Sequence, residues 1–392
     1  MINFTYYAPT KVIFGKDAEK EAGKEVAALG FKKVLVHFGG GSAQKSGLLD
    51  RVYKSLDAAG IAHVSLGGVK PNPRLSLVRE GIALGKKEQV DFILAVGGGS
   101  AIDSAKAIAY GLANDFDVWD LYLAKRKAEA CLPVGCVLTI AAAGSETSNS
   151  SVITDEDGNH KRPYNDDIAR PKFAIMNPEL TYTLPEYQTM SGVVDIMMHT
   201  MERYFTNDKG ELIDRMAEGL LVTVMENARK LKKNPKDYDA RAEVMWAGSL
   251  SHNGLTGTGR TGDFASHLLE HELSGMFDVA HGAGLAAIWP AWARYVYKHD
   301  INRFAQFAVR VMGVQMNYFN PEETALRGIE AVEVFFRSID MPVNIRELGV
   351  KDLTDAQIDE MVDKCSWQGK RTVGQFVPIA QADMKKIYEM AR

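Results

Sequence analysis

The sequence predicts an α/β fold in its first half, a parallel-sheet dinucleotide-binding domain, followed by an all-helical domain. Three observations carry this. Short apolar runs alternate with helical patterns up to Pro185. Two of those runs end in Gly-Gly-Gly-Ser, at Gly39–Ser42 and Gly97–Ser100. Beyond Pro185 proline becomes sparse and apolar residues recur at helical spacing.

Taken in order, residues 33–38 (KVLVHF) form a β-rich run that ends in the first glycine triplet, with a helical pattern at 48–59. Residues 61–66 give a second strand. The breakers Pro71 and Pro73 precede a helix over 74–87. Residues 92–96 (FILAV) are a third strand, ending in the second triplet and a helix of small residues from Ala101. Residues 134–140 and 173–176 read as further strands. Strands alternating with helices imply a largely parallel sheet covered on both faces. The helical half shows apolar periodicity at 190–201, 220–231, 242–250 and 325–339. The division is therefore expected at residues 1–186 and 187–392, which suits the length of 392 residues.

Composition excludes several classes. A formal charge of −4 offers no electrostatic footprint for nucleic acid or an anionic membrane. Three cysteines in a long chain argue against a disulfide framework, and Cys131 and Cys136 lack the second pair a structural zinc site needs. No signal peptide or spanning apolar run is visible, so a cytoplasmic protein is expected.

Consecutive glycines let backbone N–H groups approach a phosphate, and a helix starting there adds its positive dipole end. A tight strand-to-helix turn would need the same glycines, but two such loops favour a dinucleotide. Gly257, Gly259 and Gly262 match G-x-G-x-x-G without the strand before it, so they are read as an interhelical loop.

Five of the nine histidines fall between His199 and His281. Asp195 and His199 are four apart in one helical pattern, His267 and His271 in another, and His281 stands in a glycine-rich turn. One carboxylate and three imidazoles suit a borderline divalent ion. His37, His63, His160, His252 and His299 are read as structural, His252 least firmly.

These residues together resemble the iron-containing (group III) alcohol dehydrogenase family, in its butanol dehydrogenase-like branch. The similar stretches are GGGSAIDSAK at 97–106, AGSETSNSSVIT at 143–154, ARPKFAIMNPELTYTLP at 169–185, DIMMHTMERYF at 195–205 and HLLEHELSGMFDVAHGAGLA at 267–286. The resemblance implies metal ligands at Asp195, His199, His267 and His281, with iron expected and zinc the alternative. It places His271 near the nicotinamide without binding metal, where it would relay a proton or only shape the cleft. It gives Gly97, Gly98, Gly99 and Ser100 to the pyrophosphate, Asp103 to the nicotinamide end as a catalytic and cofactor-binding residue, and Thr139 and Lys161 to the cofactor. Glu202 is read as supporting the site, not as a ligand. The AAAGSET stretch departs from the family's commoner threonine- or proline-containing loop. A homodimer is also implied.

The expected activity is hydride transfer between NADP(H) and a primary alcohol/aldehyde pair such as butanol/butyraldehyde. The alternatives are a glycerol or diol dehydrogenase using NAD(H), a dehydroquinate synthase-like lyase, and a nucleotide sensor without turnover. The NADP(H) choice rests on the first triplet. An acidic residue after that strand would bind the ribose hydroxyls and repel a 2′-phosphate. Gly39, Gly40, Gly41 and Ser42 stand there instead, Lys45 follows, and no acidic side chain occurs before Asp50.

Overall fold

The computed structural model describes residues 1–392, and the chain divides into two compact units, Tyr7–Leu184 and Met1–Tyr6 with Pro185–Arg392. Residues 1–6, given to the first domain in the sequence division, belong to the helical unit, where Ile2 N–H donates to Gly259 O at 2.9 Å.

The α/β unit has strands β1 (Lys11–Phe14), β2 (Lys33–Gly39), β3 (Ala62–Val69), β4 (Phe92–Gly97), β5 (Val134–Leu138), β6 (Ser150–Asp155), β7 (His160–Asn165) and β8 (Phe173–Met176). Six of them form a fully parallel sheet in the order β1-β8-β5-β4-β2-β3. β4 and β5 are buried throughout, which is why they read as unbroken apolar runs. Alternate residues serve opposite faces. Val34, Val36, Phe92, Leu94, Val96, Val137 and Ile175 meet the Ala22–Ala28 and Leu48–Ala58 helices in one core. On the other face His37 meets Ser104 of the Gly99–Ala113 helix, so that helix covers it. His37 donates from Nδ1 to Leu66 O (2.9 Å) and accepts from Ser104 Oγ (2.8 Å) at Nε2. Burial pushes its pKa down to about 4, so it is a neutral structural residue.

The β6–β7 pair is an antiparallel hairpin outside the sheet. It was not read from the sequence, because SSVITD and HKRPYN lack a run of apolar residues. Its turn uses Gly158 and Asn159 in the left-handed region. The three cysteines are free thiols. No helix is long and apolar enough to cross a membrane.

In the helical unit the Glu186–Tyr204, Ala265–Phe277 and His281–Val296 helices carry the histidine cluster. Beside them Phe205, Trp289, Trp292, Phe304 and Phe376 form an aromatic core. Residues 257–262 form the interhelical loop expected, between the Tyr238–His252 and Ala265–Phe277 helices.

Candidate metal centre and nucleotide loops

Asp195 and His199 lie one turn apart on the Glu186–Tyr204 helix, both buried, with His199 Nδ1 3.2 Å from Asp195 Oδ1. Two more imidazoles face the same oxygen: His267 Nε2 at 3.7 Å and His281 Nε2 at 3.9 Å. Asp195, His267 and His281 thus each bring one ligand atom within 4.8 Å of the others. His199 stands beside this trio, its ring 4.5 Å from that of His267. The fourth sequence-derived ligand is therefore adjacent, but outside the tightest group.

His281 is a correction. It does not sit in a glycine-rich turn but opens the sixteen-residue His281–Val296 helix. The glycines serve helix approach instead. A Cβ at Gly282 would lie 1.9 Å from Ser191 O, and one at Gly284 would lie 2.6 Å from Glu270 Oε1. Only glycine lets this helix end reach the other two helices.

The donor set fits a cation. Asp195 Oδ1 and His267 Nε2 are buried without a hydrogen-bond partner, a costly state for two polar atoms unless something bridges them. The Nδ1 of each imidazole is already engaged. His199 Nδ1 donates to Asp195 O (3.0 Å), His267 Nδ1 to Glu202 and His281 Nδ1 to Glu270. A carboxylate oxygen with imidazole nitrogens is a borderline-metal donor set.

Charges follow this arrangement. Burial opposes ionisation of Asp195, but His199, His267 and His281 hold its carboxyl well below the usual carboxylate range. Burial pushes His199 down to about 4, against the pull of Asp195. Burial also disfavours charge on His267, yet the Glu202 carboxylate overrides it and raises the pKa to about 9. His252 was the least firmly read of the structural histidines. It lies 4.0 Å ring-to-ring from His199, and its Nδ1 accepts from Arg203 Nη2 (2.9 Å). It packs against the cluster without joining it. His271 is buried one turn after His267, its ring 5.6 Å from that of His281. His271, Glu270 and His281 also converge within 4.8 Å. Glu270 there is occupied with His281 Nδ1 and Ser274 Oγ. Glu270 is the residue the sequence reading missed; its only signal was a charge facing inward on the His267 helix.

In the α/β unit the two glycine loops leave the carboxyl ends of β2 and β4, which pair in parallel with Phe38 opposite Val96. The chain runs from β2 outward to β3, then crosses back to β4 and continues to β5. The loops thus flank the topological switch point, where open α/β sheets bind ligands. Gly98 caps the fifteen-residue Gly99–Ala113 helix, whose first N–H groups lack intrahelical partners. Ser42 opens a helix of only four residues, Ser42–Lys45.

Thr139 N–H donates to Gly97 O at 3.0 Å, which puts Thr139 on the rim of the second loop. Asp103 is committed to the protein itself. Its Oδ1 accepts from Ser145 Oγ (2.5 Å) and its Oδ2 from Val152 N–H (3.0 Å). Lys161, buried on β7, contributes to its electrostatic surroundings. Fully buried Lys106 donates to the carbonyls of Ser145 (2.7 Å), Ser148 (2.9 Å) and Ser150 (2.8 Å). Asp103 and Lys106 therefore fix the 145–152 segment, a role the sequence did not disclose for Lys106.

Comparison with known proteins agrees over the whole chain. The model of the iron-containing alcohol dehydrogenase family matches residues 9–178, and that of the C-terminal part of the Fe-containing alcohol dehydrogenase family matches residues 189–392. A probable NADH-dependent butanol dehydrogenase 1 of Bacillus subtilis is 40% identical over 388 residues, 99% of each chain. An NADPH-dependent aldehyde reductase of Escherichia coli is 35% identical over 399 aligned residues, 100% of each chain. The crystal structure of an NADH-dependent butanol dehydrogenase A from Thermotoga maritima superposes with a TM-score of 0.96 at 38% identity, covering 100% of this chain and 99% of that one.

Proposed function

The chain belongs to the iron-containing alcohol dehydrogenase family, and from that premise we propose that it interconverts a primary alcohol and its aldehyde, such as butanol and butyraldehyde, using NADP(H) and one divalent ion held by Asp195, His199, His267 and His281. Iron is the ion proposed, with zinc the alternative; a cytoplasmic homodimer completes the proposal. The observation that carries it is the convergence of Asp195 Oδ1, His267 Nε2 and His281 Nε2, with each ring's Nδ1 already engaged.

When bound, such an ion supplies Lewis acidity toward a substrate oxygen, and the nicotinamide supplies or takes up the hydride. The residues of the chain do the rest. Burial of Asp195, His199 and His267 keeps water from their ligand atoms. His271 would hold or pass the alcohol proton, since an imidazole can do either near neutral pH, or would only shape the cleft. Gly97, Gly98, Gly99, Ser100, Thr139 and Lys161 are proposed to line the dinucleotide. Asp103 would act there through the segment it fixes.

The choice of NADP(H) rests on the first loop. Gly40 has open space where a side chain would stand, and Gly39 only an ordinary contact, 3.6 Å from Val69 O. Ser42 and Lys45 are exposed. N–H, hydroxyl and ammonium donors there suit a 2′-phosphate, at roughly 1.5–3 kcal/mol per hydrogen bond to a charged group. The relatives named as NADH-dependent favour NAD(H) as the second reading. Following absorbance with a series of short aldehydes and comparing kcat/KM for NADPH and NADH decides between them. At least a tenfold preference for NADPH is expected. Gly39→Asp, which the backbone accommodates, should move the ratio toward NADH. Equal values or a preference for NADH would refute the NADP(H) proposal.

A further inference from the structure

We propose that Glu270 and Glu202 are positioning residues that fix the ring tautomers of His281 and His267, so that each presents an Nε2 lone pair to the ion; this rests on the metal reading above. Both carboxylates are fully buried, and each crosses from one helix to the next. Glu202, on the Asp195 helix, accepts the backbone N–H of His267 at Oε1 (3.1 Å) and faces His267 Nδ1 with Oε2. Glu270, on the His267 helix, faces His281 Nδ1 with Oε2 and Ser274 Oγ with Oε1. A buried carboxylate persists only where its oxygens are satisfied. Here the satisfying donors include the two rings that face Asp195.

A neutral imidazole carries one N–H and one lone pair, on either nitrogen. With the proton on Nε2, His267 or His281 would direct an N–H at Asp195 Oδ1. That contact would close the cluster on itself and leave no donor set for a cation. An acceptor fixed at Nδ1 excludes this tautomer. A carboxylate there also raises the basicity of the ring as a ligand. His199 reaches the same tautomer with a neutral acceptor, the carbonyl of Asp195.

The surrounding sequence makes room for Glu270. A Cβ at Gly284 would lie 2.6 Å from Glu270 Oε1 and 2.9 Å from its Cγ, so the His281 helix is glycine where the carboxylate lies against it. Glu270 also stands near the first turn of that helix, where the dipole favours a negative charge.

The test uses the full chain, stripped with a chelator and titrated with Zn²⁺ against a fluorescent competitor. Glu270→Ala should weaken Zn²⁺ binding about 10- to 100-fold. Glu270→Gln keeps an acceptor beside Nδ1 and should lose less. Histidine-labelled ¹⁵N spectra of the metal-free chain give the second readout. Glu270→Ala should change the ring ¹⁵N shifts of His281 and leave those of His267 as they were, and Glu202→Ala the reverse. Should either alanine variant fail to fold, Glu270→Leu and Glu202→Leu, which fill the space but offer no acceptor, carry the same comparison. Wild-type affinity with unchanged ring ¹⁵N shifts overturns the inference while the metal reading stands. Equal losses in Glu270→Gln and Glu270→Ala overturn it too, since Glu270 would then be a ligand. A wild-type chain that takes up no Zn²⁺ overturns the metal reading itself, and this inference with it.

Discussion

The histidine cluster of the helical unit and the glycine loops of the α/β unit depend on their neighbours in opposite ways. In the metal site proposed around Asp195, side chains would be the working parts. Neighbouring groups hold each one in a chosen orientation: Glu202 behind His267, Glu270 behind His281, and the Asp195 carbonyl behind His199. At Gly39–Ser42 and Gly97–Ser100, the loops proposed to meet the dinucleotide, the backbone would be the working part, and neighbours matter by leaving space or by filling it. Loss of a side chain should therefore damage the first region, and gain of one the second.

The largest effect that can break this comparison is removal of the metal or of one ligand. His281→Ala should cut kcat/KM by on the order of 10³-fold or more, since a Lewis acid contributes several kcal/mol and each 1.4 kcal/mol is tenfold. Dinucleotide binding, measured by fluorescence quenching, should survive, because its proposed contacts belong to the other unit. Full activity with full metal content in that variant would show that the cluster is structural.

His271 gives a smaller and sharper effect. It shares a helix with His267, and its ring lies 5.6 Å from that of His281. If it handles a proton, His271→Gln should lower kcat by about 10²-fold while the metal content stays complete. Metal loss measured by elemental analysis would instead make His271 a ligand and extend the cluster.

The same contrast decides what the sequence could show. Spacing exposed Asp195 with His199 and His267 with His271, because residues four apart share a helix face whatever the tertiary structure. It also exposed β4 and β5, whose burial on both faces leaves an unbroken apolar run. Glu270 was hidden, because its partner His281 lies eleven residues away on another helix and only packing brings them together. The glycines after His281 were misread for a related reason. A turn and a close helix approach both call for glycine, and only the neighbours on other helices, the Ser191 carbonyl at Gly282 and Glu270 at Gly284, distinguish them. Lys106 resembled any other helical lysine until the carbonyls of Ser145, Ser148 and Ser150 were seen around its ammonium.

The smallest effect separates the two glycine triplets from each other. A Cβ at Gly98 would lie 2.0 Å from Ile140 Cγ2, whereas one at Gly40 would have nothing within 4 Å. Neither residue is among the positive-φ glycines, so alanine is strained at Gly98 by overlap alone and at Gly40 not at all. Overpacking a fitted site costs about 1–3 kcal/mol, while an unobstructed Gly→Ala change is neutral or mildly stabilising because it restricts the unfolded chain. Gly98→Ala should therefore lower the Tm of the α/β unit by roughly 2–4 °C per kcal/mol lost. It should also weaken dinucleotide binding, since Gly98 caps the helix whose first N–H groups are proposed to meet the pyrophosphate. Gly40→Ala should leave Tm within about a degree of wild type, and its effect should fall on the NADPH/NADH ratio. Scanning calorimetry on both variants, with cofactor titrations, measures the difference. Matching losses of Tm would mean that both triplets are close-packed turns, and the first would no longer offer room for a 2′-phosphate.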